Sequence, residues 1–316
     1  MIEVENLVKQ YGDFIAVNGV TFSAKPGEVT GFLGPNGAGK TTTMRILAGY
    51  LPPTSGRAMV AGQNVFENSL AVRQHVGYLP ESVPLYRDMT PLGYLTYVGE
   101  IRGVSNLQAR ALQTLERVGL HERAYNRIRN LSKGMKQRVG LASVLLHDPE
   151  VIILDEPTIG LDPLQVEELR ALIRELGKNH TVLFSTHILS EAEAVCDNIV
   201  IINQGEIVAK GSPATLRSQL ESGGRILIRL DGMDSGDTRE TARLTLEKLD
   251  EISHVVINDE MLIATPARDD IDPRPVIART VIEQGWDLIE LRALAVDLEE
   301  IFLEVTRRTS NKQGAN

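Results

Sequence analysis

The first sixty residues alternate short apolar runs with turn residues, a pattern typical of β-strands. Strands are predicted over residues 2–4, 14–17, 20–22, 28–33 and 56–60, and a helix over 41–50. Between about 91 and 145, apolar residues recur at spacings of three and four, which indicates helices. One of these helices is predicted to begin at a Ser105 cap and to bury Leu107, Ala111, Leu115 and Val118.

Two later runs are apolar without interruption and rich in β-branched residues. They cover 151–154 and 181–184, and a helix is predicted between them over 163–176. Such continuous runs are typical of parallel strands that are covered on both faces. The two strands and their helix therefore form a predicted βαβ unit, as in an α/β fold.

The pattern changes after Ser222-Gly223-Gly224, the best candidate for a domain boundary. Beyond it, strands are predicted over 225–230, 253–258, 261–265 and 286–292, with helices over 238–250 and 274–284. This β-α-β-β-α-β order predicts a small α+β ferredoxin-like domain. A last helix is expected over 297–306, capped by Asp297, and residues 310–316 are expected to be disordered. The predicted domains are thus 1–221, with a helical subdomain over about 82–147, and 222–309.

Composition narrows the possible partners. The chain has 316 residues, of which 42% are hydrophobic, and a net charge of −9 that is concentrated beyond residue 221. Aromatic residues make up only 4%, which argues against nucleic-acid binding by base stacking. Cys196 is the sole cysteine, which excludes an internal disulfide. Since neither a signal peptide nor an apolar run of about 18 residues is visible, we expect a cytoplasmic protein that reaches a membrane only through other chains.

A glycine-rich segment follows the predicted strand 28–33 and fits the pattern G-x-x-x-x-G-K-[ST] of a phosphate-binding loop. Its residues are Gly34, Pro35, Asn36, Gly37, Ala38, Gly39, Lys40, Thr41 and Thr42. Glycines let the backbone N–H groups point inward, and the next helix adds its positive N-terminus. Lys40 would reach the β- and γ-phosphates, and the Thr41 hydroxyl would ligate Mg²⁺. A glycine-rich turn without a ligand is the alternative.

Two carboxylates end the predicted strand 151–154. Asp155 would hold Mg²⁺ at the sheet edge, and Glu156 could polarise an attacking water as general base. Taken alone, this pair could equally be a charged turn. Ser132, Lys133 and Gly134 open another helix and could form a second anion site, although these residues alone indicate only a helix cap with basic neighbours.

Together these motifs resemble the nucleotide-binding subunit of an ABC transporter. The matching segments, within residues 1–220, are the phosphate loop, the signature motif 131–135, the strand 151–156, the Gly160-Leu161-Asp162 loop and a lone His187. The segment 78–81 and the acidic C-terminal end are similar to cassettes of ABC-2 and gliding-motility-type exporters. The resemblance implies a P-loop NTPase fold with a mixed-sheet core, an antiparallel β subdomain and a helical subdomain.

The resemblance also implies roles for single residues and for partners. ATP and Mg²⁺ are the expected ligands, Tyr11 would stack on adenine, and His187 would contact the γ-phosphate. Lys40 and Thr42 would bind the phosphates, and Thr41, Asp155 and Glu81 would hold the metal. In a homodimer, Ser132, Lys133, Gly134 and Asp162 of one copy would complete the site of the other. Separate membrane permease chains are the expected partners.

Three residues depart from that family's usual pattern. Glu81 stands where glutamine is usual, and in the signature motif Lys133 and Met135 stand where glycine and glutamine are commonest. The competing functions are a soluble remodelling ATPase acting on ribosomes or DNA, and a P-loop kinase or GTPase. The chain has a single cassette and no heptad repeat, which favours a transporter subunit over a soluble remodelling ATPase. The signature motif and His187 argue against a P-loop kinase or GTPase.

Overall fold

The computed structural model describes residues 1–216, 225–231, 236–258, 261–268 and 272–293. The chain divides into two units, Met1–Pro213 and Ala214–Asn316. The predicted boundary at Ser222-Gly223-Gly224 lies outside the described residues, as do the predicted terminal helix 297–306 and the predicted disordered tail.

The first unit contains ten strands and seven α-helices among its described residues. The strands are β1 (Ile2–Tyr11), β2 (Phe14–Ala24), β3 (Val29–Leu33), β4 (Ser55–Val60), β5 (Gln63–Asn64), β6 (Val76–Leu79), β7 (Val151–Asp155), β8 (Thr181–Thr186), β9 (Asn198–Asn203) and β10 (Glu206–Gly211). The helices are α1 (Lys40–Leu47), α2 (Ser69–His75), α3 (Pro91–Arg102), α4 (Leu107–Arg117), α5 (Lys133–Leu145), α6 (Pro163–Gly177) and α7 (Leu189–Val195). Short 3₁₀ helices cover His121–Arg123 and Ile128–Asn130.

Two sheets form the framework of this unit. Strands β2-β1-β4-β5 make an antiparallel sheet, and β10-β9-β3-β8-β7-β6 make a six-stranded sheet in which only β10 is antiparallel. Every residue of β3, β7 and β8 is buried, as their continuous apolar runs predict. In the parallel register Leu33 lies opposite Thr186 and Asp155 lies opposite Ser185. The carboxyl ends of these three strands therefore meet at one edge.

Helix starts follow their local chemistry, with one correction. Thr90 caps α3 by accepting a hydrogen bond from the Gly93 N–H at 3.1 Å, and Pro91 follows it. The predicted cap at Ser105 is wrong, because α4 begins after Asn106, whose φ of +49° places it in the left-handed region. Asparagine tolerates that conformation better than most residues. The two predicted strands within 14–22 form the single strand β2.

The second unit has the predicted β-α-β-β-α-β order. Its elements are β11 (Ile226–Leu230), α8 (Gly236–Leu246), β12 (Ile252–Asn258), β13 (Met261–Pro266), α9 (Arg274–Glu283) and β14 (Leu288–Ala293). The strands pair antiparallel in the order β12-β13-β11-β14. Ile226, Ile228 and Leu230 alternate into a core shared with Leu262 and Ile277. This is a ferredoxin-like arrangement.

Within the described ranges, no helix combines the length and the apolar character that crossing a bilayer requires.

Candidate active site

The glycine-rich loop joins β3 to α1, where only glycine fits at two positions. A Cβ atom on Gly34 would lie 2.3 Å from the carbonyl oxygen of Ile202. Gly39 has a φ of +105°, and a Cβ atom there would lie 2.4 Å from the Ala16 carbonyl oxygen. The backbone of the loop is therefore packed closely on one side, and the free N–H groups at the start of α1 provide an anion-binding end.

Lys40 is the first residue of α1, and its side chain folds back over the loop. Its ammonium donates hydrogen bonds to the carbonyl oxygens of Gly34 at 2.7 Å and Pro35 at 3.1 Å. It also lies 3.2 Å from Oε1 of Glu156. Both side chains of this ion pair are more than nine-tenths buried. The loop thus has a buried positive charge at its centre.

Asp155 and Glu156 occupy the end of β7 and share one partner, Ser185 on β8. The Ser185 hydroxyl donates to Oδ1 of Asp155 at 2.7 Å and accepts from the Glu156 N–H at 2.9 Å. Asp155 is fully buried, and the Tyr78 hydroxyl lies 3.4 Å from its other oxygen. Burial, together with the Asp155 charge, raises the pKa of Tyr78 to about 12, so Tyr78 remains a neutral donor.

His187 follows β8 and completes a chain of contacts. Its Nδ1 atom lies 2.8 Å from Oε2 of Glu156, whose other oxygen faces Lys40. Glu156 has a φ of +49°, a left-handed conformation that is uncommon for a residue other than glycine. The loop lysine, the glutamate and the histidine, which are far apart in the sequence, therefore form one connected group.

Two of these residues, Lys40 and Glu156, border a cleft of about 450 Å³, whereas His187 is not a lining residue. Its lining residues are Phe14, Ala16, Asn36, Gly37, Gly39, Lys40, Thr41, Thr42, Glu81, Glu156 and Ile159. Sequence reasoning missed Phe14, Ala16 and Ile159, although an aromatic residue next to Tyr11 in a hairpin was a usable signal for Phe14. Tyr11 pairs with Phe14 across that hairpin and is half-exposed, but it is not a lining residue.

The predicted signature residues lie outside this lining and form a second cluster within the same unit. Ser132 caps α5, accepting from the Met135 N–H at 3.2 Å. Asp162 caps α6, accepting from the Gln165 N–H at 2.9 Å. Gly134 packs on the Gln165 side chain, and the Lys133 ammonium lies against Gly160. The two caps are therefore held side by side through glycines that leave no room for side chains.

The oxygen donors predicted for a metal are split between the cleft and the buried strand end. Thr41 and Glu81 line the cleft, whereas Asp155 is held beneath it by Ser185. Hydroxyl and carboxylate oxygens are the ligands that Mg²⁺ prefers, so the chemistry of this donor set fits that ion. In the part of the chain that the structure describes, no group of three or more His, Cys, Asp or Glu residues is suited to a metal.

A parallel sheet that carries a phosphate loop, a buried Asp–Glu pair and a histidine at one edge defines a nucleotide-hydrolysing cassette. Comparisons with known proteins agree. Residues 17–159 match the ABC transporter family. The linearmycin resistance ATP-binding protein LnrL of Bacillus subtilis is 33% identical over 313 residues, which cover 98% of this chain and 99% of that protein. The Nod factor export ATP-binding protein I of Burkholderia orbicola is 38% identical over 318 residues, 97% of each chain.

Solved structures show the same fold. The ATP-binding subunit of an ABC transporter superposes with a TM-score of 0.64 at 33% identity, covering 70% of this chain and 93% of that one. A dimeric post-hydrolysis cassette bound to ADP and Pi gives a TM-score of 0.60 at 26% identity, covering 67% and 98%. The chain belongs to the family of ABC transporter ATP-binding proteins. It is an ATP-binding and ATP-hydrolysing subunit of such a transporter.

Proposed function

We propose that two copies of this chain close on two ATP molecules and that this motion powers a separate permease that exports its substrate. Two observations support the pairing. The cleft and the Ser132–Gly134 cluster are separate in one copy, and related cassettes have been solved as dimers. Export is supported by the relatives named for Nod factor export and linearmycin resistance.

In each copy, the cleft supplies the groups that bind the triphosphate. Backbone N–H groups of the loop and of the start of α1 hold the phosphate oxygens, and Lys40 neutralises the β- and γ-phosphates. Its contacts with the Gly34 and Pro35 carbonyl oxygens hold the ammonium at the centre of the loop. Mg²⁺, when bound, would neutralise phosphate charge; Thr41 and Glu81 would hold it directly, and Asp155 directly or through water.

Glu156 is the residue placed to accept a proton from the attacking water. The observation that carries this assignment is the contact chain Lys40–Glu156–His187, with separations of 3.2 Å and 2.8 Å. Lys40 keeps Glu156 close to the phosphates, and His187 orients its other oxygen and can reach the γ-phosphate. A buried carboxylate held between two donors is well positioned to be a general base.

The partner copy completes the site. Ser132, Lys133 and Gly134 at the start of α5 would offer N–H groups and a positive charge to the γ-phosphate across the dimer, and Asp162 would link the two sites. Tyr11 or its neighbour Phe14 would stack on the adenine, since both rings are exposed at the hairpin. Loss of the γ-phosphate weakens this bridge and allows reopening. The permease would bring the complex to the inner face of the cell membrane.

The test is light scattering and ATP hydrolysis of Glu156→Gln and of wild type, with Glu150→Gln as the matched control. Glu150 is exposed at the opposite end of β7. Glu156→Gln should hydrolyse ATP on the order of a hundredfold more slowly and remain a dimer with ATP, because proton acceptance is lost while phosphate binding is kept. Glu150→Gln should behave as wild type. Persistent hydrolysis and an unchanged mass in the Glu156→Gln variant would contradict the proposal.

A further inference from the structure

A second buried carboxylate lies behind the site, and the catalytic scheme does not use it. Glu191, in the first turn of α7, is 3% exposed. A single oxygen, Oε2, accepts hydrogen bonds from the Thr158 hydroxyl and from the Thr186 hydroxyl, each at 2.8 Å. Both threonines are themselves buried. This carboxylate oxygen therefore links the loop that follows β7 to the last residue of β8.

The two threonines lie close to the catalytic pair in sequence, Thr158 in the loop after β7 and Thr186 at the end of β8. Thr158 lies two residues after Glu156, and Thr186 lies one residue before His187. The Thr186 hydroxyl also accepts a hydrogen bond from the Ile188 N–H at 3.0 Å, which fixes the turn around His187. A hydrogen-bonded bridge through Glu191 thus runs parallel to the direct contact between Glu156 and His187.

Energetics favour a role for this bridge beyond folding. Burying a carboxylate costs free energy that two neutral hydroxyl groups offset only in part. A well-packed apolar side chain would fill the same place at lower cost. Glu156, moreover, holds a left-handed φ of +49°, which persists only where surrounding contacts enforce it. The carboxylate supplies a directional contact of that kind to the loop that Glu156 begins.

We propose that Glu191 is a positioning residue that holds Glu156 and His187 in register for hydrolysis by tying Thr158 to Thr186. This inference rests on the roles proposed above for Glu156 and His187. It assigns no contact between Glu191 and the nucleotide. The expected signature is therefore a change in the rate of the chemical step with little change in nucleotide binding.

The first experiment compares Glu191→Leu, Glu191→Gln and wild type by steady-state ATP hydrolysis and thermal unfolding. In Glu191→Leu, kcat should fall on the order of ten- to a hundredfold because the two catalytic side chains lose their register, while KM for ATP stays within about twofold. Glu191→Gln should recover most of kcat, because its amide oxygen can accept from both hydroxyls. A folded Glu191→Leu variant with wild-type kcat would overturn the proposal.

The second experiment avoids a charge deletion that could impair folding. Thr158→Val and Thr186→Val each remove one hydroxyl at nearly constant shape, and Thr30→Val is the matched control. Thr30 is buried on β3, and its hydroxyl has no hydrogen-bond partner. Both single variants should lower kcat, the double variant should fall no further than the slower single one, and Thr30→Val should match wild type. The proposal would be overturned if the two single losses in kcat multiplied in the double variant, or if Thr30→Val lost as much kcat as the other two variants.

The same assays separate this inference from the proposed function. If Glu156→Gln abolishes hydrolysis while Glu191→Leu and the threonine variants match wild type, the base assignment stands and the positioning role of Glu191 fails. If Glu156→Gln continues to hydrolyse ATP, the proposed function and the role of Glu191 both fail.

Discussion

The two units of the chain place their charged residues in opposite ways. Among the described residues, every buried polar or charged side chain lies in the first unit, including Lys40, Asp155, Glu156 and Glu191. In the second unit, charged residues pair near the surface, as Arg274 does with Asp272 and Arg292 with Glu290. Both units combine helices with a sheet of four or more strands, so the presence of a sheet alone does not explain the difference.

Strand direction explains it. In the first unit β3, β7 and β8 run parallel, so three carboxyl ends and the loops that follow them meet at one edge. In the second unit all pairs are antiparallel, so successive strand ends alternate between the two edges. Because the strand ends meet, several charged side chains can neutralise one another in the buried interior of the first unit, whereas isolated surface pairs remain screened by solvent. The comparison predicts that removal of a charged side chain lowers ATP hydrolysis and nucleotide binding in the first unit and leaves both unchanged in the second.

Lys40→Ala should show the largest effect. It removes the positive charge from the phosphate loop and leaves the buried Glu156 without its partner at 3.2 Å. We expect ATP hydrolysis to fall by about a hundredfold or more, with weaker nucleotide binding. Arg274→Ala breaks an exposed pair in the second unit and should leave hydrolysis and nucleotide affinity unchanged. Steady-state kinetics and nucleotide titration check both, and equal effects would break the comparison.

The sequence predicted this contrast only in part. The phosphate loop, the Asp155–Glu156 strand end and the caps Ser132 and Asp162 are local patterns, and residue order alone indicates them. The element order of the second unit was also readable. By contrast, Ser185, Thr158 and Glu191 are ordinary residues in the sequence, because their importance arises from neighbours 5 to 33 positions away. The register of the strands brings these residues together, and the spacing of hydrophobic residues along the sequence does not predict that register.

The predicted cap position of α4 was wrong for a related reason. Ser105 and Asn106 are both good cap residues by type, and the choice between them depends on the backbone conformation that the chain adopts after α3. For Phe14 the usable signal was its position in the hairpin with Tyr11, but that signal does not tell whether the ring faces solvent or a ligand. The sequence therefore indicated which residue types could cap a helix or bind a ligand, but it did not show what surrounds each side chain in the fold.

Glycine replacement tests whether the closer packing at the first unit's edge also constrains the backbone. Gly39 and Gly285 both have positive φ, +105° and +76°, but only Gly39 has backbone within reach of a new Cβ atom. Gly285→Ala should lower the free energy of unfolding by about 1 kcal/mol, the ordinary cost of a left-handed alanine. Gly39→Ala should cost about 3 kcal/mol or more and abolish nucleotide binding. Denaturant titration and nucleotide titration measure this, and equal losses would contradict it.

Histidine titration gives the smallest and finest test. Burial, with the positive charge of Arg102, lowers the pKa of His147 from 6.5 to about 4. Between these values the unfolded chain binds a proton that the folded protein does not, so stability falls as pH falls through this window. His147→Gln should therefore lose less stability than wild type between pH 7 and pH 4, by on the order of 2 kcal/mol.

The matched control for this titration is Gln284→Ala in the second unit, where the replaced side chain is exposed and carries no titratable group. Denaturant unfolding at several pH values should give this variant the same pH slope as wild type, because the substitution removes no group that binds a proton. A flatter slope for His147→Gln alone would show that the first unit excludes solvent from ionisable groups beyond its nucleotide cleft. Parallel slopes for all three proteins would confine the contrast between the units to the active site itself.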